Sequence, residues 1–195
     1  GQSDVDRASF PANVRFVEDW VRTGWAKWSV VVAMLRALGL LYSHDRPDWF
    51  VLLSAADFPS MPADAVRAQL AASPYDAYLD GRMIGTGHSV SAPEGPRNPQ
   101  LTHFDSPGNQ RLKWSHYQGA EIWLPILRTK PRRRIGRYTI HLPFELRHPF
   151  SADCPCWYGD HWFTANARVA DILLNPTDQH LAFQRHFRTR AIPEE

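Results

Sequence analysis

At 195 residues, 44% of them hydrophobic and 22% charged, the chain has the length and composition of one globular domain with a real core, or of most of a larger one. Its net charge of +2 supplies no global field toward nucleic acid or a membrane surface, and no stretch approaches the roughly 18–20 apolar residues that span a bilayer, so neither a nucleic-acid partner nor a transmembrane segment is expected. The two cysteines, Cys154 and Cys156, are separated by a single proline and make no disulfide framework, which points to the cytoplasm or the cytoplasmic face of a membrane.

Residues 1–12 are polar and read as a loop, and residues 13–17 alternate weakly, as a short strand would. Further on, apolar residues fall at Val31, Met34, Leu35, Leu38, Leu41 and Tyr42. Spacings of three and four predict an amphipathic helix of about four turns, ending near Ser43. His44-Asp45-Arg46-Pro47 then leads into five apolar residues in a row, Trp49 to Leu53. That run is too short for an independent helix and too uninterrupted for a one-sided sheet, so it predicts a strand covered on both faces, as in a parallel sheet. Strand, helix, strand in this order is the unit of a doubly wound α/β fold.

The strand gives way to Ser54-Ala55-Ala56 and then to Asp57 just before Pro59, which sets a carboxylate at the carboxyl end of a central strand. Ligands bind at that edge of open α/β sheets. The same Asp also suits a turn, where it satisfies loose backbone N–H groups. Ser54-Ala55-Ala56-Asp57-Phe58-Pro59 resembles the Leu-Ser-x-x-Asp-Phe-Pro signature of the core-2/I-branching glycosyltransferases, the family that also holds the peptide O-xylosyltransferases, and is closer to the xylosyltransferase form.

The resemblance implies an α/β, GT-A-like nucleotide-sugar-binding domain with a mostly parallel central sheet. Residues 1–195 would form a single, partial catalytic domain, cut at both ends and inactive as it stands; a eukaryotic version with its anchor removed would belong in the Golgi lumen. Trp25-x-x-Trp28-Ser29, at the start of the predicted helix, is similar to the same family, in which an aromatic side chain at the place of Trp25 packs on the donor's uracil. Trp25 and Trp28 equally suit stapling the helix to the sheet.

After Pro59, Ser60 is placed to cap a short helix with Pro62 and Asp64 in its first turn and Val66 and Leu70 facing inward. Residues 77–80 predict the next strand, with Asp80 at its exit. By resemblance an acidic residue there holds hydroxyls of the acceptor sugar, which a carboxylate accepts in fixed geometry. Beside Gly81, Asp80 is also a turn former. Residues 83–110 lack any period and predict a binding or mobile loop. The main basic patch gathers Arg128, Lys130, Arg132, Arg133, Arg134 and Arg137 around Pro131, as a solvated loop or as a contact for an anionic acceptor or a pyrophosphate.

Residues 159–169 predict a strand or turn running into a helix, and they resemble the family's Gly-Ser-x-Trp-Phe segment with Asp160 in place of the small polar residue. Trp162 and Phe163 are expected in the core. Gly159 lets the backbone approach a ligand or a neighbouring strand. With Trp25 and Asp57, the resemblance makes Gly159 and Asp160 the nucleotide-sugar contacts. A capped helix is predicted over residues 177–187, and the closing Pro193-Glu194-Glu195 looks like the family's stretch whose final Glu is the catalytic base, here Glu195.

Inverting transfer from a UDP-sugar to a hydroxyl of a glycan or protein acceptor requires a base, positive charge for the departing diphosphate and a held acceptor. By resemblance Glu195 is the base, Asp80 holds the acceptor and Trp25 packs on uracil. Asp-x-Asp occurs only at Asp4 to Asp6, and the resemblance implies a metal-independent reaction with no cofactor beyond the donor. Cys154, Cys156 and His161 are spaced too tightly for a zinc site. A rival from another class is a non-catalytic carbohydrate- or polyanion-binding module built on residues 128–137 and the loop tryptophans.

Overall fold

A computed structural model describes residues 6–24, 27–54, 56–84, 117, 119–127, 135–145, 148–159 and 161–190. Residues 85–110 of the predicted loop and 128–134 of the basic stretch lie outside them. Residues 13–17 make no strand. Side chains hold this region: Phe16 meets Phe10 edge-on at 5.3 Å and sits 5.0 Å beneath the Arg7 guanidinium.

The predicted amphipathic helix is α1, Trp28–His44. Leu38 is buried on its inner face, with Leu41 and Tyr42 partly covered beside it. Arg46, at φ 41°, turns the chain sharply out of the helix and into β1, Trp49–Val51. After β1 comes α2, Ala63–Ala71, whose Val66 and Leu70 are its half-buried positions. Pro62 rather than Ser60 stands at its start, and no side chain caps it. Pro costs little there, because the first N–H groups of a helix have no internal acceptor.

Three short strands form the first sheet in the order β1, β7, β2, where β2 is Ala77–Tyr78 and β7 is Thr164–Asn166. Both outer strands run antiparallel to β7. The expected mostly parallel sheet is therefore corrected: β1 and β2 point the same way but share no hydrogen bonds, because β7 lies between them. The prediction of a strand covered on both faces also fails. Phe50 is buried, whereas Val51 is 46% and Leu53 55% exposed. Alternate side chains leave opposite faces of a strand, and only the Phe50 face meets the helices. There Phe50 joins Leu38, Ala165 and Ala170, the last from α3, Ala167–Leu174.

A second pair of strands, β3 (Gly81–Met83) and β6 (Trp157–Gly159), is antiparallel. It carries a second core of Ile84, Tyr117, Cys156 and Tyr158, closed by Phe150 and by Phe187 from α4, Asp178–Phe187. Thr177 caps α4 and forms a reciprocal capping box with His180. Finally β4 (Gly119–Leu127) and β5 (Ile135–Glu145) pair as a long antiparallel ribbon, so the basic stretch joins its two strands. No helix among the described residues is long and apolar enough to cross a membrane.

Candidate functional site

Register in the first sheet determines what meets at its edge. Val51 and Tyr78 both stand opposite Thr164, so β1 and β2 end at the same level and leave the sheet on the same side. The segments that follow, Leu52 to Asp57 from one strand and Leu79 to Asp80 from the other, therefore share that edge. Two of the sequence-predicted carboxylates are brought to one side of the fold in this way.

Behind this edge lies a cavity of about 260 Å3. Leu52 and Leu79 come from the strand exits, Val30, Val31 and Met34 from the first half of α1, and Val169 and Leu173 from α3. Ala77, Phe163 and His161 complete the described lining. Nine of these ten side chains are apolar and the tenth is an imidazole. Such a space accepts a flat or apolar group and rejects a charged one, because an unpaired ion loses its hydration there. A larger polar groove of about 710 Å3 lies along the second half of α1, between Tyr42, Arg46 and Arg168, and contains none of the residues given a site role from the sequence.

Asp57 is exposed, and its carboxylate accepts the Ser54 N–H at 2.5 Å while the Ser54 hydroxyl accepts the Ala56 N–H at 3.2 Å. The turn-forming role read from the sequence is thus present in the structure. Asp80 is exposed between β2 and β3, where the chain passes from one sheet to the other. Its carbonyl oxygen presses on Gly159, and any Cβ at that position would collide with it. Of the two approaches predicted for Gly159, the structure contains that of the neighbouring strand, in the β3–β6 pair.

Trp25, Asp160 and Glu195 lie outside the described residues. Trp28 is half-buried at the first turn of α1. Phe163 packs against the first core at 5.5 Å from Phe50, but Trp162 is 37% exposed and corrects the expectation that both are core. Facing outward, Trp162 lies against the His161 ring with centroids 4.1 Å apart. The spacing of His161 from Cys154 and Cys156 does not indicate this position; its place in the Gly159–Phe163 segment is the available signal for the cavity.

Asn166 organises the nearby start of α3. Its side-chain oxygen accepts the N–H groups of Arg168 and Val169, and its Nδ2 donates to Asp76 at 2.8 Å. Asp76 also accepts from Arg168 at 3.2 Å, an exposed pair of small energetic weight. This clamp fixes α3, and hence Val169 and Leu173, against the start of β2.

Comparison with known proteins gives one family. Residues 2–82 match the model of the Core-2/I-Branching enzyme family, a stretch that includes Trp25, the Ser54–Pro59 motif and Asp80. The match does not extend over Gly159, Asp160 or Glu195. No curated protein matches the chain, and no solved structure does.

Proposed function

We propose that this chain, in which residues 2–82 carry the Core-2/I-branching enzyme pattern, belongs to a glycosyltransferase that moves N-acetylglucosamine or xylose from a UDP-sugar to an acceptor hydroxyl with inversion. The observation that carries the reading is the family match itself, which spans the Ser54–Pro59 motif. The shared edge of β1 and β2 supports it, since Asp57 and Asp80 follow the two strand exits whose Leu52 and Leu79 line an apolar cavity.

In this reading the donor's base enters the cavity, with Trp25 packing on it, and Asp57, Gly159 and Asp160 bound the rest of the donor. Asp80 accepts hydroxyl protons of a glycan or protein acceptor, which holds the nucleophile on the face opposite the diphosphate. Glu195 takes the proton of the attacking hydroxyl, the role a base carboxylate fills in inverting glycoside chemistry. Side-chain cations rather than a metal neutralise the departing diphosphate.

The test is to express the full-length protein, screen UDP-sugars for turnover and repeat the assay with Glu195→Gln. The reading expects one UDP-sugar to be turned over and the Gln variant to lose that activity by about 100-fold or more. Salt-dependent binding of an acidic polysaccharide with no UDP binding would replace it with the non-catalytic module.

A further inference from the structure

The groove of about 710 Å3 along the second half of α1 lies at the opposite end of the first sheet from the β1–β2 exits. Trp49, the first residue of β1, stands opposite Asn166, the last of β7, so Arg46 just before one strand and Arg168 just after the other line the same space. Its size falls inside the roughly 300–1,000 Å3 of sites that hold whole small ligands.

Arg46 is the residue there that the fold does not explain. At φ 41° it occupies the left-handed region, which glycine takes without steric cost and a residue with a Cβ does not. The turn is held without its guanidinium: the Asp45 N–H donates to the Leu41 carbonyl at 2.9 Å, and the Tyr42 hydroxyl to that of Pro47 at 3.0 Å. The exposed guanidinium makes no hydrogen bond or ion pair among the described residues. An arginine in place of a glycine thus brings backbone strain and no described internal contact, and what it adds is a planar fork of N–H donors on the groove.

The other polar groups of the groove define the ligand. Arg168 is already shared with Asp76 at 3.2 Å, so the lining carries one unshared cation, Arg46, and one anion, Asp171. A nucleic-acid strand or a phosphate dianion calls for more positive charge and would be repelled by Asp171. A single carboxylate matches the fork of one arginine. Sugar hydroxyls suit the remainder. One Asp171 oxygen is held by the Asn175 amide at 2.8 Å, which leaves the other Asp171 oxygen and the Asn175 side-chain carbonyl as fixed acceptors.

We infer that this groove binds a uronic acid residue of an acidic polysaccharide, with Arg46 on the sugar's carboxylate and Asp171 and Asn175 on its hydroxyls. The inference is independent of the UDP-sugar reading and concerns the end of the sheet away from Asp57 and Asp80.

The experiment titrates the full-length protein with oligosaccharides of glucuronate, galacturonate and mannuronate and with their carboxyl-reduced counterparts, which keep the hydroxyls and lose the charge. At least one uronate is expected to bind about tenfold or more tightly than its reduced form, the ratio of roughly one charge-assisted hydrogen bond. Arg46→Gly removes the fork and gives the turn the residue its φ favours, so it is expected to fold at least as well as wild type and to bind that uronate no better than the reduced form. Asp80→Asn and saturating UDP act at the other end of the sheet and are expected to leave uronate binding unchanged. Binding of no uronate overturns the inference, as does a folded Arg46→Gly protein with wild-type affinity. Loss of binding in Asp80→Asn but not in Arg46→Gly assigns the sugar to the acceptor position of the proposed function and overturns it as well. Should the glycine variant not fold, Arg46→Gln is read by the same criterion. UDP-sugar turnover without uronate binding leaves the proposed function standing alone; uronate binding lost in Arg46→Gly, with no UDP-sugar turned over, leaves the inference standing alone.

Discussion

The Nε2 atom of His186 on α4 lies 2.6 Å from the carbonyl oxygen of Tyr117, a contact that ties α4 to a member of the second core 69 positions earlier. Burial holds this imidazole down to about 4 from its ordinary 6.5; the Tyr117 carbonyl pulls the other way, and the positive charges of Arg190 and His148 add to the lowering. Because the unfolded chain takes up the proton first, stability is level above pH 6.5 and is lost as pH falls from 6.5 toward 4. Urea unfolding across that window should show the midpoint falling with pH. His186→Gln retains an N–H donor without the titration and should flatten the curve.

Gly159→Ala should destabilise the protein by about 1–3 kcal/mol, because the added Cβ meets the Asp80 backbone and neither strand of the β3–β6 pair can give way without losing its ladder. Gly39→Ala is the matched control. Its Cβ would lie 3.7 Å from Leu174, an ordinary contact, and alanine in a helix interior should stabilise by about 0.5–1 kcal/mol. Chemical denaturation of the two variants should move in opposite directions.

Asn166→Ala removes the acceptor at the start of α3 and the link to Asp76. A loss of about 1 kcal/mol is expected, read as a lower denaturation midpoint with an unchanged slope.

The two acids at the sheet edge should separate by assay. Asp57→Ala takes away the acceptor for the Ser54 N–H and should lower the melting temperature, whereas Asp57→Asn keeps a side-chain oxygen and should restore it. For the exposed Asp80, Asn substitution should leave melting unchanged and, under the proposed function, raise the acceptor KM in the turnover assay about tenfold or more.

Parts of this fold are legible in the sequence for clear reasons. The three-and-four spacing from Val31 to Tyr42 specifies α1, and Thr177 marks the start of α4 through a cap present in the structure. The sense of the sheet was not legible. A run such as Trp49 to Leu53 shows how apolar a strand is, and not which strand pairs with it. The answer lay in Thr164-Ala165-Asn166, three residues with no marked strand signature, whose partners are more than 80 positions away. The motif at Ser54 to Pro59 lies at this edge, yet the cavity behind it draws residues from α1, α3 and the strand exits, and no local pattern announces such a gathering.

The strand that joins β1 to β2 is also the last of the three to leave the ribosome. Until residue 166 has emerged, the earlier two have no sheet to enter, and Phe50 and the open backbone edges beside it stay accessible to chaperones or to other nascent chains. Synthesis halted before residue 164 should therefore yield an aggregating product rather than a smaller folded one.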